Sequence, residues 1–272
     1  MRLSLTRAAA AFVAALCPGL ALANPKPLPF TYTYPTLPKG TYEIEQFVDL
    51  DPVKALSTST GEPTWYVATQ LTTEIEIGIT DRLELGLYGT FVPQPTDAFS
   101  NAPTLPNGNG AKQRLRYRFA EEEQLPIDVA LYGELAENER EFEVEAKVIL
   151  ARKIGQLHLN MNLSTEFEFY YRGDQEIVLN PSVGLTYQVT PSFHPGIEYW
   201  LHAEVPLEEE GEEAEGFNLE PQNYVGPALM FNFGPAWWSL GGYFRLNSIG
   251  YALTPGDAFG PLWFRTVVGV GL

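Results

Sequence analysis

The stretch KQRLRYR sets Lys112, Arg114, Arg116 and Arg118 at every second position. Alternate residues of an extended chain point the same way, so these four cations share one face of one strand. Cations packed so closely require acids on the neighbouring strands. Acids in a like alternating phase recur along the chain: Glu43 and Glu45, Glu74 and Glu76, Glu84, Asp128 and Glu134, Glu143 and Glu145, Glu166 and Glu168, Glu198 and Glu204. With Lys147, Arg245 and Arg265, the polar phase holds thirteen acids against seven bases. The chemistry this pattern supports is electrostatic. Opposite charges on adjacent strands fix register and rigidify a wall. A basic stripe facing acidic walls across a polar passage instead creates a transverse field that orients solutes, and a net-negative passage favours cations.

Covalent catalysis has little to build on. The histidines are His158, His194 and His202. His158 and Ser164 share a phase, but six residues of strand separate them by about 20 Å, too far to pair. His194 and His202 are similarly separated. There is no Gly-x-Ser-x-Gly, His-Glu-x-x-His or paired-cysteine motif. The expectation is a non-enzyme with no cofactor and no metal site. The catalytic alternative, a lipid-modifying enzyme, needs a histidine within hydrogen-bond reach of a serine or carboxylate. The glutamate-rich loop 206–221 reads as a solvated, self-repelling loop, because it lacks the Asp/Asn spacing and fixed glycine of a calcium loop.

The elements that carry these residues are strands. Apolar and polar residues alternate in twelve runs, at approximately 41–50, 64–79, 82–92, 112–119, 127–135, 142–151, 156–170, 176–189, 193–205, 224–233, 237–247 and 262–272. In EIEIGITDRLELGLYGTF, Ile75, Ile77 and Ile79, then Leu83, Leu85 and Leu87, form one wholly apolar face. The joints at 80–82, 152–155, 190–192 and 234–236 are tight. Those at 51–63, 93–111, 206–223 and 248–261 are long. Short turns at one end and long loops at the other predict an all-β, transmembrane, up-and-down antiparallel β-barrel of about twelve strands, ten or fourteen being the alternatives. A soluble sandwich or lipocalin-type barrel also alternates. It would not keep its apolar phase over so many strands or bury so many charges. Barrel closure would bring Arg265 beside Glu43 and Glu45. Trp65, Tyr66, Tyr170, Tyr171, Tyr199, Trp200, Trp237, Trp238 and Trp263 fall near predicted strand ends and read as interfacial girdle residues.

The chain of 272 residues carries a formal charge of −17. Residues 1–23 contain Arg2 and Arg7 and no acid, so without them the charge is two more negative, −19. That excess excludes nucleic acid as a partner, since a phosphate backbone needs a basic face. Those first residues have the anatomy of a secretory signal. Two arginines precede the apolar AAAAFVAAL, and Ala21-Leu22-Ala23 is a small-x-small cleavage site before Asn24. The sole cysteine, Cys17, lies within them, so disulfides cannot hold the exported chain together. Residues 24–40 contain five prolines and predict an extended tether. The predicted organisation is a signal peptide at 1–23, a Pro-rich tether at 24–40 and a barrel at 41–272.

GITDRLELGLYGTF resembles the hairpin found at the periplasmic turns of Gram-negative outer-membrane β-barrels, and KQRLRYRFAEEEQLPIDVALYGEL repeats its layout. The resemblance covers essentially the whole chain after the signal. It implies residence in the outer membrane of a Gram-negative bacterium, with lipid and the barrel-assembly machinery as partners. The final Leu272 departs from the aromatic residue usual in such barrels. The resemblance to porin-like transporters implies passive or weakly selective passage of small polar solutes. The lumen-lining residues would be Glu43, Glu45, Glu74, Glu76, Glu84, Arg114, Arg116, Arg118, Asp128, Glu134, Glu143, Glu145, Glu166, Glu168, Glu198, Arg245 and Arg265. Their balance predicts a preference for cations. The alternative is a closed structural or adhesion barrel that acts through its outer loops. If Arg114, Arg116 and Arg118 are all paired and no continuous channel remains, transport loses its basis.

Overall fold

A computed structural model of the chain describes residues 23–103, 105, 108–207, 221–248 and 254–272. Among them run twelve antiparallel strands in chain order: β1 (Tyr42–Leu56), β2 (Pro63–Gly78), β3 (Leu83–Phe91), β4 (Gly110–Arg118), β5 (Asp128–Asn138), β6 (Glu141–Ile154), β7 (Leu157–Tyr170), β8 (Gln175–Leu179 continuing as Ser182–Tyr187), β9 (Phe193–Leu207), β10 (Gln222–Asn232), β11 (Ala236–Arg245) and β12 (Leu262–Gly271). Each strand pairs with the next, and β12 pairs with β1. The sheet therefore closes on itself and leaves no edge. At the seam, Leu272 donates its backbone N–H to Tyr42 O at 2.8 Å. β8 is broken at Asn180-Pro181, where proline has no N–H for the ladder. Both pieces still pair with β7 and β9.

The alternation decides which face is which. Ile44, Ile75, Leu87, Leu115, Leu131 and Phe264 are between 41% and 52% exposed, while Glu43, Glu45, Glu74, Glu76 and Glu84 are fully buried. Large apolar side chains outside and carboxylates inside invert the pattern of a water-soluble domain. An outward apolar surface repeated around a closed sheet is the lipid-facing belt of a transmembrane barrel. No helix among the described residues is long and apolar enough to cross a membrane. The crossing is made by strands.

The strand boundaries fall within three residues of those read from the alternation, except at the first hairpin. There the long connection expected at 51–63 shrinks to residues 57–62. Asp51-Pro52 reads as a turn, but the alternation continues through it. Asp51, Val53 and Ala55 are all buried on the inner face. Gly260, in the connection before β12, donates its N–H to Asp51 at 3.0 Å.

Candidate functional site

The tether does not hang outside the barrel. From Gly40, whose N–H bonds Gly78 O at 2.8 Å, the chain turns into the lumen at the short-turn end. It climbs to Phe30 and descends again to Asn24, beside the start of β1. Lys26 through Pro29, Thr31, Thr33, Tyr34, Thr36 and Leu37 are buried. Prolines suit such a path because each removes a backbone donor that would otherwise need a partner inside. The donors that remain reach the wall. Phe30 and Thr31 give their N–H groups to Glu198 at 3.0 and 2.5 Å. Tyr32 bonds Asn162 Oδ1 at 2.7 Å, and the Asn162 amide returns to Tyr32 O at 3.0 Å. Leu37 N–H reaches Glu84 at 2.7 Å. Leu28 packs directly on Gly184 of β8, where an added Cβ would lie 2.4 Å from Leu28 Cδ1.

Beneath this segment lies a dense ion cluster. Lys26 Nζ sits 2.6 Å from Glu45, 2.9 Å from Glu76 and 3.1 Å from Glu74. Arg114 is 1% exposed. Its guanidinium donates to Glu74 at 2.7 Å, to Glu84 at 2.7 Å and to Glu76, and its Nε reaches Tyr88 OH at 2.7 Å. Arg116 donates to Glu84 at 2.7 Å and to Thr33 O at 3.2 Å. Gly86 makes room for the cluster: a Cβ there would stand 2.7 Å from both Arg114 Nε and Glu74 Oε1. Charges removed from water in this way are tolerated only when paired and hydrogen-bonded.

The basic stripe is split between environments. Arg114 and Arg116 belong to the cluster. Arg118 lies at the rim, where it donates to Asp81 O at 2.7 Å and Thr36 Oγ1 at 3.0 Å. It also pairs with Glu121 at 2.7 Å, and this bond holds the exposed Glu121 carboxyl below its ordinary range. Lys112 turns the other way, to Glu134 at 3.3 Å and Glu143 at 3.6 Å. Lys147 pairs with Glu145 at 2.9 Å.

Three expectations require correction. Asp128 does not face the arginines; both its oxygens accept the Glu123 N–H at 3.1 Å and cap the turn before β5. Arg265 does not meet Glu43 or Glu45. The seam register sets Glu43 opposite Gly271 and Asp49 opposite Arg265, and Arg265 pairs with Asp49 at 2.7 Å. Trp200, Trp237 and Trp263 are not girdle residues. They are buried inside, whereas Trp65 and Trp238 are exposed outside. The signal was present, because Trp200 shares its phase with Glu198 and Trp263 shares its phase with Arg265. Phe30 of the inserted segment stacks on Trp200 with ring centres 4.5 Å apart, and the Arg265 guanidinium lies 3.7 Å from the Phe30 ring centre.

Above Phe30 and Tyr32, towards the long-loop end, a cavity of about 840 Å³ remains. Its walls carry Glu141, Glu143, Glu145, Glu166, Glu168, Glu204 and Asp257 against Lys112, Arg140, Lys147, Arg245 and Arg265, which is seven carboxylates to five cations. Trp200, Phe259 and Trp263 form the apolar part. Arg245 pairs with Asp257 at 3.1 Å. Glu166 and Glu168 receive only neutral donors among the described residues, Asn180 Nδ2 and Tyr170 OH, each at 2.7 Å. Among the described residues no histidine is hydrogen-bonded to a serine, but one lies within hydrogen-bond reach of a carboxylate. His202 bridges Asn180 and Glu204, each at 2.8 Å. The His158 and His194 rings meet edge to face at 6.1 Å, a contact that sequence spacing did not reveal. Most of the glutamate-rich loop, 208–220, lies outside the described residues.

A scan against protein-family models finds no match, and a search of the curated proteins also finds none. Solved structures do match. The chain is similar to the COG4313 outer membrane channel from Pseudomonas putida F1, at 12% identity and a TM-score of 0.57, over 88% of this chain and 98% of that one. It is similar to the NanC porin at 11% identity and a TM-score of 0.55, over 85% of this chain and all of that one. At these identities the likeness shows the fold, which is that of an outer-membrane β-barrel.

Proposed function

We propose that this barrel is an outer-membrane channel for small polar solutes, with a preference for cations, whose lumen is closed by residues 24–40. The observation that carries the reading is the acidic cavity. Among the described residues it lies at the long-loop end, has an excess of carboxylate, and stops at the inserted segment. The long loops face outward in such barrels, so the cavity is an outer vestibule and the inserted segment lies on the periplasmic side. Glu166 and Glu168, which have no ion-pair partner among the described residues, would supply the excess negative charge that attracts a cation.

Arg114, Arg116 and Arg118 are all paired, and this supports the second reading, a closed structural barrel. What favours a channel is where the closure resides. The pairs of Arg114 and Arg118 are made within the wall and its turns. The lumen itself is filled by a segment held by non-covalent contacts: hydrogen bonds, ion pairs, ring contacts and the packing of Leu28 on Gly184. Such a piece can move without opening the wall.

The test is planar-bilayer conductance under a salt gradient, comparing the processed protein with a variant lacking residues 24–36. Cation-selective steps that become frequent in the deletion support the channel. A folded deletion variant that passes no current, or passes anions preferentially, refutes it.

A further inference from the structure

We infer that Glu43 is a receptor for the α-ammonium group that signal-peptide removal creates at Asn24, so that processing itself completes the lock on the inserted segment. The inference concerns how that segment is fastened and stands whether or not the lumen conducts.

Five carboxylates, Glu43, Glu45, Glu74, Glu76 and Glu84, are buried together at the short-turn end with 0% exposure. Four of them have a cation in contact: Lys26 serves Glu45, Glu74 and Glu76, and Arg114 and Arg116 serve Glu84. Glu43 has none among the described residues. Its Oε1 accepts the Trp237 indole N–H, and its Oε2 accepts the backbone N–H of Asn24 at 2.7 Å. A fully buried carboxylate with only two neutral donors is an incomplete arrangement. Glu198 shows what a complete one without a cation looks like. It takes two backbone N–H groups and the Tyr243 hydroxyl.

The atom that touches Glu43 is the nitrogen that cleavage would release. Ala21-Leu22-Ala23 is the small-x-small signal, and hydrolysis of the Ala23–Asn24 amide leaves the carboxylate on Ala23 and an amine on Asn24. Below an α-amine's ordinary pKa of about 8 that amine is an ammonium. At the same position it would add a charge to the existing hydrogen bond and give Glu43 the partner it lacks. The cluster would then hold four cations to five carboxylates instead of three to five. Ala23, which packs against Phe47, Trp237 and Val267, would depart with the signal. The Asn24 side chain keeps the turn by donating to Pro35 O at 3.1 Å.

The full-length chain, expressed with its own leader in a Gram-negative host and purified from membranes, supplies the test. The N-terminal peptide mass should correspond to a chain beginning at Asn24; a start elsewhere overturns the inference. At neutral pH the α-amine should react with an acylating reagent at least tenfold more slowly than that of a synthetic Asn24–Gly40 peptide, and equal rates overturn the inference. Glu43→Gln should restore most of the rate in a barrel that still shows heat-modifiable gel mobility; slow reaction retained in that folded variant rules out Glu43 as the receptor. A chain refolded with Ala23 retained bypasses any folding failure of the substitution. A cysteine replacing the buried Thr31 in that chain should label at least tenfold faster than in the chain beginning at Asn24. Identical labelling would mean that the new charge locks nothing.

Discussion

Lys26→Met isolates the charge that holds the inserted segment. The side chain of Lys26 is buried among three carboxylates, and its Nζ lies 5.0 Å from the Tyr32 ring centre and 5.4 Å from that of Phe47. Methionine keeps an unbranched apolar chain between those rings and removes the charge. Glu45 is then left without a cation, and Glu74 and Glu76 share Arg114 alone. Removing one partner of a buried ion pair costs about 3–5 kcal/mol. On the proposed reading the segment leaves its site while the wall stays closed, so this cost falls on docking. At 1.36 kcal/mol per decade it raises the undocked fraction roughly 150- to 5000-fold. The only cysteine, Cys17, falls in the predicted signal peptide, so in a chain beginning at Asn24 a single cysteine in place of Thr31, which is 1% exposed, reports undocking by its thiol-labelling rate. Thr31 Oγ1 has no hydrogen-bond partner within geometric limits among the described residues, which makes the probe conservative. The reasoning predicts labelling at least a hundredfold faster in Lys26→Met, with heat-modifiable mobility retained and most of the effect absent in Lys26→Arg. An acceleration below about tenfold would refute the claim that this charge holds the segment in the lumen.

Gly184→Val should act from the wall side. A Cβ there collides with Leu28, so the same cysteine probe should label faster while the β8 pairing persists; an unchanged rate would show that Leu28 does not need the space. Gly86→Ala should press on Arg114 and Glu74 and lower barrel stability by about 1–3 kcal/mol, the usual cost of overpacking, read as the urea midpoint of heat-modifiable mobility. An unaltered midpoint would mean that the cluster rearranges freely. Replacing Glu166 and Glu168 with Gln in the variant lacking residues 24–36 should shift the reversal potential in a salt gradient away from cation selectivity. Unchanged selectivity would remove the vestibule carboxylates from the filter.

The wall was legible because its code is local. Alternation reports which face each residue takes, and a two-residue period cannot be mistaken over twelve strands. The lumen was less legible because pairing there depends on register and on residues far apart in sequence. Arg265 meets Asp49 because the seam sets the two opposite each other; counting from the strand ends suggested Glu43 instead. Three charged residues are less legible, for different reasons. Asp49 continues the phase of Glu43 and Glu45 past the middle of its strand, Asp51 is masked by the proline after it, and Lys26 by a composition that reads as an extended tether. Proximity to strand ends suggests a girdle for the tryptophans, whereas phase puts three of them inside.

Lys26 shows why composition alone misled. A segment with five prolines has little secondary structure of its own, and nothing local fixes its path. Its place is decided by the wall, which presents Glu43, Glu45, Glu198 and Glu84 at the positions where the segment offers a backbone amide, an ammonium, two further amides and a last amide. Prolines between these points remove donors that the lumen could not satisfy. The excess of inward carboxylate that the sequence displays therefore has two destinations. At the short-turn end it receives the chain's own cations. In the cavity, Glu166 and Glu168 have no ion-pair partner among the described residues, and in the proposed channel a cationic solute would find its attraction there.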